Sequence, residues 1–344
     1  MANTNDLFHG FFLKDIVSAL TNQCWKLIIL PTEKCNFRCT YCYEDYGLGR
    51  MSYQVVDAVK KLISNRINCG DLKRLHIAWF GGEPLLAKDI VYDINEYAMS
   101  LSEGNKKFNF TSDATTNGFL LDEFSARKLL SLRLLQYQIT LDGPQELHDK
   151  TRVKADGSGT FDTIWSNLLS MKSIAEEFTI LMRIHIHPGN ISGMKILMGK
   201  ICDNFSKDKR FRVFIRALSK LGGVNEKSVD IFSLEEEKNV IESLYKILGE
   251  DVVRWRLTGE DDLNYICYAA EPNSLVIRSD GSLAKCTVAF NDERNKIGRL
   301  KEDGTLDIDA EKYQLWVNGF KNLDPNTLKC PYYQSVRKLC GSCC

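Results

Sequence analysis

Cys35-Asn36-Phe37-Arg38-Cys39-Thr40-Tyr41-Cys42 puts three thiols into eight residues, spaced by three and then by two. Iron–sulfur clusters normally take four cysteines, so three leave one iron without a protein ligand and open to chemistry. Zinc accepts similar spacings, and spacing alone leaves zinc standing. The run just before, Trp25-Lys26-Leu27-Ile28-Ile29-Leu30, is short, apolar and closed by Pro31, which reads as a buried strand. The thiols therefore occupy the loop that leaves the first strand.

Downstream, helical and extended patterns alternate. Ser52 is a plausible N-cap for a helix over Tyr53 to Ile63, and Arg74 to Phe80 reads as a strand ending in Gly81-Gly82-Glu83-Pro84. A helix from about Lys88 to Leu101 leads to a strand over Phe108 to Thr116, closed by Asn117-Gly118. Asp122 caps a helix through Leu132, before a strand over Tyr137 to Leu141. Helices over Phe161 to Ile174 and Ile191 to Phe205 precede strands over Phe178 to Ile186 and Phe211 to Ile215. Such alternation predicts a parallel sheet with right-handed crossovers. With the polar motifs at the C-terminal strand ends, it predicts a barrel-like α/β domain whose loops form the active face.

Around Leu221-Gly222-Gly223 to Asp230 the chain turns polar, and a bridging helix is expected over Leu234 to Leu248. Ser274 to Arg278 and Ser282 to Cys286 flank Asp280-Gly281, a β-hairpin signal. The expected organisation is an N-terminal extension (1–24), the barrel (25–220), a bridge (221–262) and a small loop-rich unit (263–344) held together by metal, since so short a piece buries little core.

The 45 basic and 45 acidic residues give a formal net charge of zero, which argues against a nucleic-acid or membrane partner. Met1 to Gly10 lacks the order of a secretory signal, and no run approaches the roughly 18 apolar residues of a membrane span. The expected location is cytoplasmic, where the twelve cysteines are better read as metal ligands than as disulfides. Cys24, Cys69 and Cys202 stand alone and are expected to be small buried hydrophobes.

With the aromatic Tyr41 directly before its third cysteine, the opening stretch resembles the signature of the radical S-adenosylmethionine (SAM) enzymes. The resemblance implies a partial (β/α)6 TIM-like barrel and a [4Fe-4S] cluster on Cys35, Cys39 and Cys42 whose fourth iron chelates SAM. It implies cleavage of SAM to methionine and a 5′-deoxyadenosyl radical that abstracts hydrogen, while the protein aims that chemistry and excludes water. Gly81, Gly82 and Glu83 match the motif that in this family contacts the SAM amino group, and Thr115-Thr116-Asn117-Gly118 resembles the element whose asparagine lies beside the cofactor.

Ile139-Thr140-Leu141-Asp142-Gly143-Pro144, His148-Asp149, Arg152 and Gly157-Ser158-Gly159-Thr160-Phe161 are similar to a stretch of those radical SAM enzymes that carry a SPASM extension, with Thr140 replacing the usual serine. Thr140 and Arg152 are thereby implied to hold the SAM carboxylate or ribose. Asp142 and His148 are expected to stabilise the loop. Arg183, His185 and His187 alternate on one strand, which places them to face the barrel interior, and the two histidines are expected to be structural.

Cys267, Gly281 and Cys286 match the opening of the SPASM pattern, but Thr327 stands where its cysteine quartet begins. Six cysteines fall short of two full sets of four ligands. The family's wiring implies Cys267, Cys286 and Cys344 for a first auxiliary cluster and Cys330, Cys340 and Cys343 for a second. One or two auxiliary Fe–S clusters, or a four-cysteine zinc site, remain open.

Leu30 to Cys35, Tyr43-Glu44 and Gly49-Arg50-Met51 look like the peptide maturases that act on ribosomally made precursors. That resemblance implies a precursor peptide substrate, a carbon–carbon (cyclophane-type) or thioether crosslink or an epimerisation as product, and a reducing partner such as flavodoxin or ferredoxin. Asn5 to Thr21, the bridge or a separate protein is expected to recognise the leader peptide. The alternative is a sulfatase-type maturase that oxidises serine or cysteine to formylglycine. Its aspartate closely follows an auxiliary-cluster cysteine, whereas here Cys286 precedes Thr287-Val288-Ala289-Phe290 and Asp292 stands further on. An iron–sulfur electron carrier would need neither an open iron nor the SAM motifs.

Overall fold

The computed structural model describes residues 16–105, 107–221, 223, 225, 227, 230–252 and 266–336. Six strands, β1 (Cys24–Ile29), β2 (Arg74–Trp79), β3 (Asn109–Thr116), β4 (Leu134–Leu141), β5 (Thr179–Ile186) and β6 (Phe211–Ala217), lie side by side in chain order. Every neighbouring pair among them is parallel. A sheet wound in one direction by right-handed crossovers collects its helices on one face, so it curls around the other.

Local signals set the helix starts. Ser52 accepts a hydrogen bond from the Val55 amide and opens the helix Tyr53–Asn68, whose Val56, Val59, Leu62 and Ile63 are buried. Asp122 caps Glu123–Ser131 in the same way. Lys88–Glu103, Phe161–Met171 and Ile191–Phe205 complete the helical layer on the expected segments. A short helix over Gln145–Thr151 was not foreseen, because seven residues carry too little periodicity.

Burial alternates along the strands with period two. Ile180, Met182, Ile184 and Ile186 of β5 and Phe211, Val213 and Ile215 of β6 are buried under the helices. Leu181, Arg183 and His185, with Arg212, Phe214 and Arg216, face the inside of the curl and are only half-buried. Thr111, Asp113 and Thr115 of β3 follow the same rule. In a closed (β/α)8 barrel the inner residues pack into a core; here the inner face is half-buried and sets Arg183, His185, Arg212 and Arg216 among Leu181 and Phe214.

The hairpin expected after the bridge forms between β7 (Ser274–Ile277) and β8 (Ser282–Ala284), with Gly281 at φ +81° in its turn. It is not a detached appendage. β7 runs parallel to β1, pairing Lys26 with Ser274 and Ile29 with Ile277, and so covers the edge of β1 that β2 leaves free. With β9 (Gly298–Leu300) and β10 (Leu306–Ile308) it extends one ten-stranded sheet in the order β10-β9-β8-β7-β1-β2-β3-β4-β5-β6. The bridging helix spans Leu234–Val252, with a break at Gly249. Among the described residues no helix is long and apolar enough to cross a membrane.

Candidate active site at the strand ends

The cysteine loop is held by a strip of backbone pairing with the segment 151–155. Arg38 N donates to Val153 O at 2.8 Å, Thr40 N to Thr151 O at 2.9 Å, and Ala155 N to Asn36 O at 2.9 Å. Phe37 is fully buried beneath the loop, edge-on to Phe119 at 5.8 Å. The three thiols are left on the other side of this anchor.

Burial pushes the Cys35 thiol up to about 12 and the Cys39 thiol up to about 11, and in each case neighbouring thiols of the trio raise it further. Bare thiolates are therefore disfavoured here, and a cationic iron–sulfur core is the kind of group that would hold them deprotonated. Phe37 N already donates to Cys35 Sγ at 3.3 Å. Among the described residues no three His, Cys, Asp or Glu side chains are already gathered closely enough to hold a single metal ion.

The glycines of Gly81-Gly82-Glu83 answer first to the chain itself. Gly81 has φ +120°, and a Cβ on it would collide with the Thr32 carbonyl oxygen. A Cβ on Gly82 would sit 2.5 Å from Lys34 O. Glu83 N donates to that same oxygen at 3.0 Å, so the loop after β2 seats directly on the lead-in to Cys35. The Glu83 carboxylate is completely buried: Oε1 accepts from Leu85 N at 2.9 Å and Thr116 Oγ1 at 2.7 Å, and Oε2 from Asn117 N at 2.6 Å. It braces the ends of β2 and β3, and only its remaining lone pairs are left for a ligand amine.

Asn117 is thereby fixed against the cysteine loop, donating from Nδ2 to Asn36 Oδ1 at 2.8 Å with Cys35 Sγ at 3.9 Å. Arg152 is buried, stacks over the Phe37 ring at 5.8 Å, and donates from Nη1 to the Tyr41 hydroxyl at 2.8 Å. Its Nε is buried without a partner. Tyr41 donates to Asp142 Oδ1 at 3.0 Å and lies 3.2 Å from His185 Nδ1. Thr140, at the end of β4, stands beside Arg183 of β5. An orphaned guanidinium nitrogen near the Cys39 and Cys42 thiols fits an anionic group such as the carboxylate of SAM.

Asp142 and His148 support the loop as expected. Asp142 N donates to His148 Nδ1 at 3.3 Å, so His148 Nε2 carries the proton toward Thr160 Oγ1 at 3.1 Å. Thr160 in turn donates to Arg152 O at 2.6 Å. His185 has a carboxylate nearby, Asp142 at 3.8 Å, which the sequence hid because it lies in the loop after β4, far from it in the chain. Arg183, His185 and His187 share the lumen side, as their alternation implied.

At the far end, Cys267 N donates to Leu328 O at 2.8 Å and Thr287 N to the Tyr268 hydroxyl at 2.9 Å, which gathers Cys267, Cys286 and the Cys330 segment. Burial pushes the Cys267 thiol up to about 12, with Cys286 and Cys330 adding to the rise. Cys330 is thus a neighbour of Cys267 and Cys286, although the family's wiring assigns it to Cys340 and Cys343. Those two and Cys344 lie outside the described residues.

The solitary cysteines depart from expectation. Cys69 is exposed at a helix end, Cys202 is half-buried, and half-buried Cys24 receives Arg74 Nε at 3.1 Å. A cavity of about 540 Å³, lined by Cys24, Arg74, His76 and Thr111, lies at the opposite strand ends from the cysteine loop.

The sequence profile of the Radical SAM superfamily matches residues 29–190. A cysteine-type anaerobic sulfatase-maturating enzyme of Clostridium novyi is 26% identical over 341 residues, covering 91% of this chain and 87% of its own. A GTP 3′,8-cyclase of Peptoclostridium acidaminophilum is 28% identical over 273 residues, covering 76% and 79%. Among solved structures, native anSMEcpe with bound AdoMet and Cp18Cys peptide superposes with a TM-score of 0.62 at 23% identity, over 85% of this chain and 83% of that one. Streptococcus suis SuiB bound to precursor peptide SuiA gives 0.57 at 15% identity, over 83% and 64%. These last two likenesses are of fold. The loop of three thiols, the strand-end braces around it and the profile match together make residues 29–190 of this chain a radical SAM domain.

Proposed function

We propose that the protein is a radical SAM enzyme acting on a ribosomally made precursor peptide, in which it closes a carbon–carbon (cyclophane-type) or thioether crosslink. The inner face of the sheet carries this reading: Thr115, Gln138, Leu181, Arg183 and Phe214 are only half-buried on it, which leaves room for a peptide segment to reach the strand ends. Cys35, Cys39 and Cys42 hold the cluster, and Asn117, Thr140, Arg152 and the Gly81–Glu83 loop hold the polar groups of SAM. When bound, the two supply the hydrogen-abstracting chemistry. Phe37 and Phe119 keep water from the underside of the loop. Crosslinking removes two hydrogens from the peptide, one as an atom and one as a proton with an electron. That electron needs an acceptor, for which Cys267, Cys286 and Cys330 offer ligands, and flavodoxin or ferredoxin returns electrons to the cysteine loop.

Oxidation of serine or cysteine to formylglycine is the second reading, favoured by the Clostridium novyi relative. Against it, Asp292 is already engaged: its carboxylate accepts from Arg294 Nη2 at 2.6 Å, Nε at 2.8 Å and the backbone amide at 2.9 Å. No other acid lies between Cys286 and Asp292. Mass spectrometry of a small precursor encoded nearby and co-expressed with the enzyme separates the two. Formylglycine from cysteine exchanges sulfur for oxygen, whereas a crosslink and formylglycine from serine both remove two hydrogens. Fragmentation then decides, because a crosslink blocks release of fragments between the bridged residues and formylglycine confines the loss to one residue whose aldehyde reacts with a hydrazine. Absence of 5′-deoxyadenosine from reconstituted protein under dithionite would sink both.

A further inference from the structure

We propose that Arg183 is a carboxylate-binding residue in the wall of the lumen. It lies in the middle of β5, flanked by Thr140 on β4 and Phe214 on β6. Its guanidinium rests 6.0 Å over the Phe214 ring, and its Nε is buried with no hydrogen-bond partner. Among the described residues it makes no hydrogen bond and no ion pair.

The surroundings add positive charge rather than cancel it. Arg216 of β6 and Arg152 both oppose the Arg183 charge, and burial opposes it further. Tyr43 and Tyr41 are the groups that favour it, and neither is a carboxylate. The nearby acid, Asp142, is already taken by the Tyr41 and Thr151 hydroxyls at 3.0 and 2.7 Å. Four residues along the same face, His187 Nδ1 accepts from Gly189 N at 3.2 Å, which leaves Nε2 as a donor, buried and again without a partner. Among the described residues, no acceptor meets these donors on the lumen side.

A half-buried cation with no counter-ion among the described residues carries part of the desolvation cost of a buried ion, which a bound anion would offset. A guanidinium with a free Nε edge and an aromatic ring 6.0 Å away matches a planar carboxylate that takes two parallel hydrogen bonds. Two carboxylates are within the reach of the proposed function, on which only the choice between them rests. One is the methionyl carboxylate of SAM, because Thr140 is the register neighbour of Arg183. The other is an acidic side chain or C-terminus of the peptide.

The test uses cluster-reconstituted wild type, Arg183→Gln, Arg183→Lys and Arg183→Met. Binding of SAM and of decarboxylated SAM is measured by equilibrium dialysis. Binding of glutarate, its diamide and inorganic phosphate is measured by titration calorimetry, with and without SAM. Loss of one charge-assisted pair predicts a drop of about 10- to 100-fold for a carboxylate probe in the Gln variant, partial recovery in Lys, and no change for decarboxylated SAM or the diamide. A drop confined to SAM assigns the SAM carboxylate, and a drop confined to glutarate assigns the peptide. Unchanged binding of both, or a loss seen only with phosphate, overturns the proposal. Arg183→Met should melt close to the wild-type temperature, because the half-buried guanidinium has no hydrogen bond or ion pair among the described residues to lose. A clear fall in melting temperature would make the guanidinium a packing element and also overturn it. If iron-loaded wild type fails to bind SAM, the functional reading falls, while the glutarate arm still decides the role of Arg183.

Discussion

Arg278 and Glu33 form a two-pronged ion pair, Nε to Oε1 at 2.9 Å and Nη2 to Oε2 at 2.7 Å, that ties the turn after β7 to the lead-in of the cysteine loop. Their side chains are 14% and 3% exposed, and Arg278 also lies 4.5 Å over the Phe290 ring. The hairpin is therefore coupled to the loop that carries Cys35.

Removing one partner of a buried pair strands the other charge, at a cost of about 3 kcal/mol or more. Glu33→Gln and Arg278→Met should each lower the urea midpoint and the iron retained after reconstitution. The double variant Glu33→Gln/Arg278→Met should lose less than the sum of the two. Additive losses would show that the pair is not coupled.

Gly82→Ala places a methyl 2.5 Å from Lys34 O, and Gly81→Ala combines a collision with an unfavourable φ. Each should destabilise by about 1–3 kcal/mol and displace the cysteine loop, which is read as iron lost per chain. Gly199 is the internal control. It lies in the helix Ile191–Phe205 with open space around its Cα, so Gly199→Ala should gain about 0.5–1 kcal/mol and keep its iron. Full iron content in Gly82→Ala would contradict the seating of one loop on the other.

The alternating pattern was legible because each strand pairs with its sequence neighbour, so local periodicity also carries topology. The Tyr41, Gly81–Glu83, Asn117 and Arg152 positions were legible as a motif set, but their partners were not. That Glu83 spends its carboxylate on Thr116 and Asn117, or that Arg278 reaches Glu33, follows only from how strand ends meet in space. The same limit hid β7 on the edge of β1, since a four-residue apolar strand does not announce which edge it will cover.

Burial holds the His148 and His185 imidazoles neutral, each well below the ordinary value of 6.5. The unfolded chain binds a proton at each site as pH falls through about 6.5 and the native fold does not, so stability declines below that pH and is flat above it. Denaturant midpoints should fall between pH 7.5 and about 5, and the slope should shrink in His148→Gln. An unchanged slope would mean that His148 is protonated in the native state.

Cys330 supplies the sharpest test of the C-terminal thiols. Its proximity to Cys267 and Cys286 predicts one cluster that depends on all three, so Cys267→Ser, Cys286→Ser and Cys330→Ser should each remove the same share of iron. Cys35→Ser should remove a different share, distinguishable by electron paramagnetic resonance after reduction, because the C-terminal cluster remains. Exposed Cys69→Ser should change nothing. If Cys330→Ser keeps the iron that Cys267→Ser loses, the two thiols serve different clusters, as the family's wiring has it. If the three losses match, Cys330 has taken over a position that a missing cysteine at Thr327 left the rest of the pattern unable to fill.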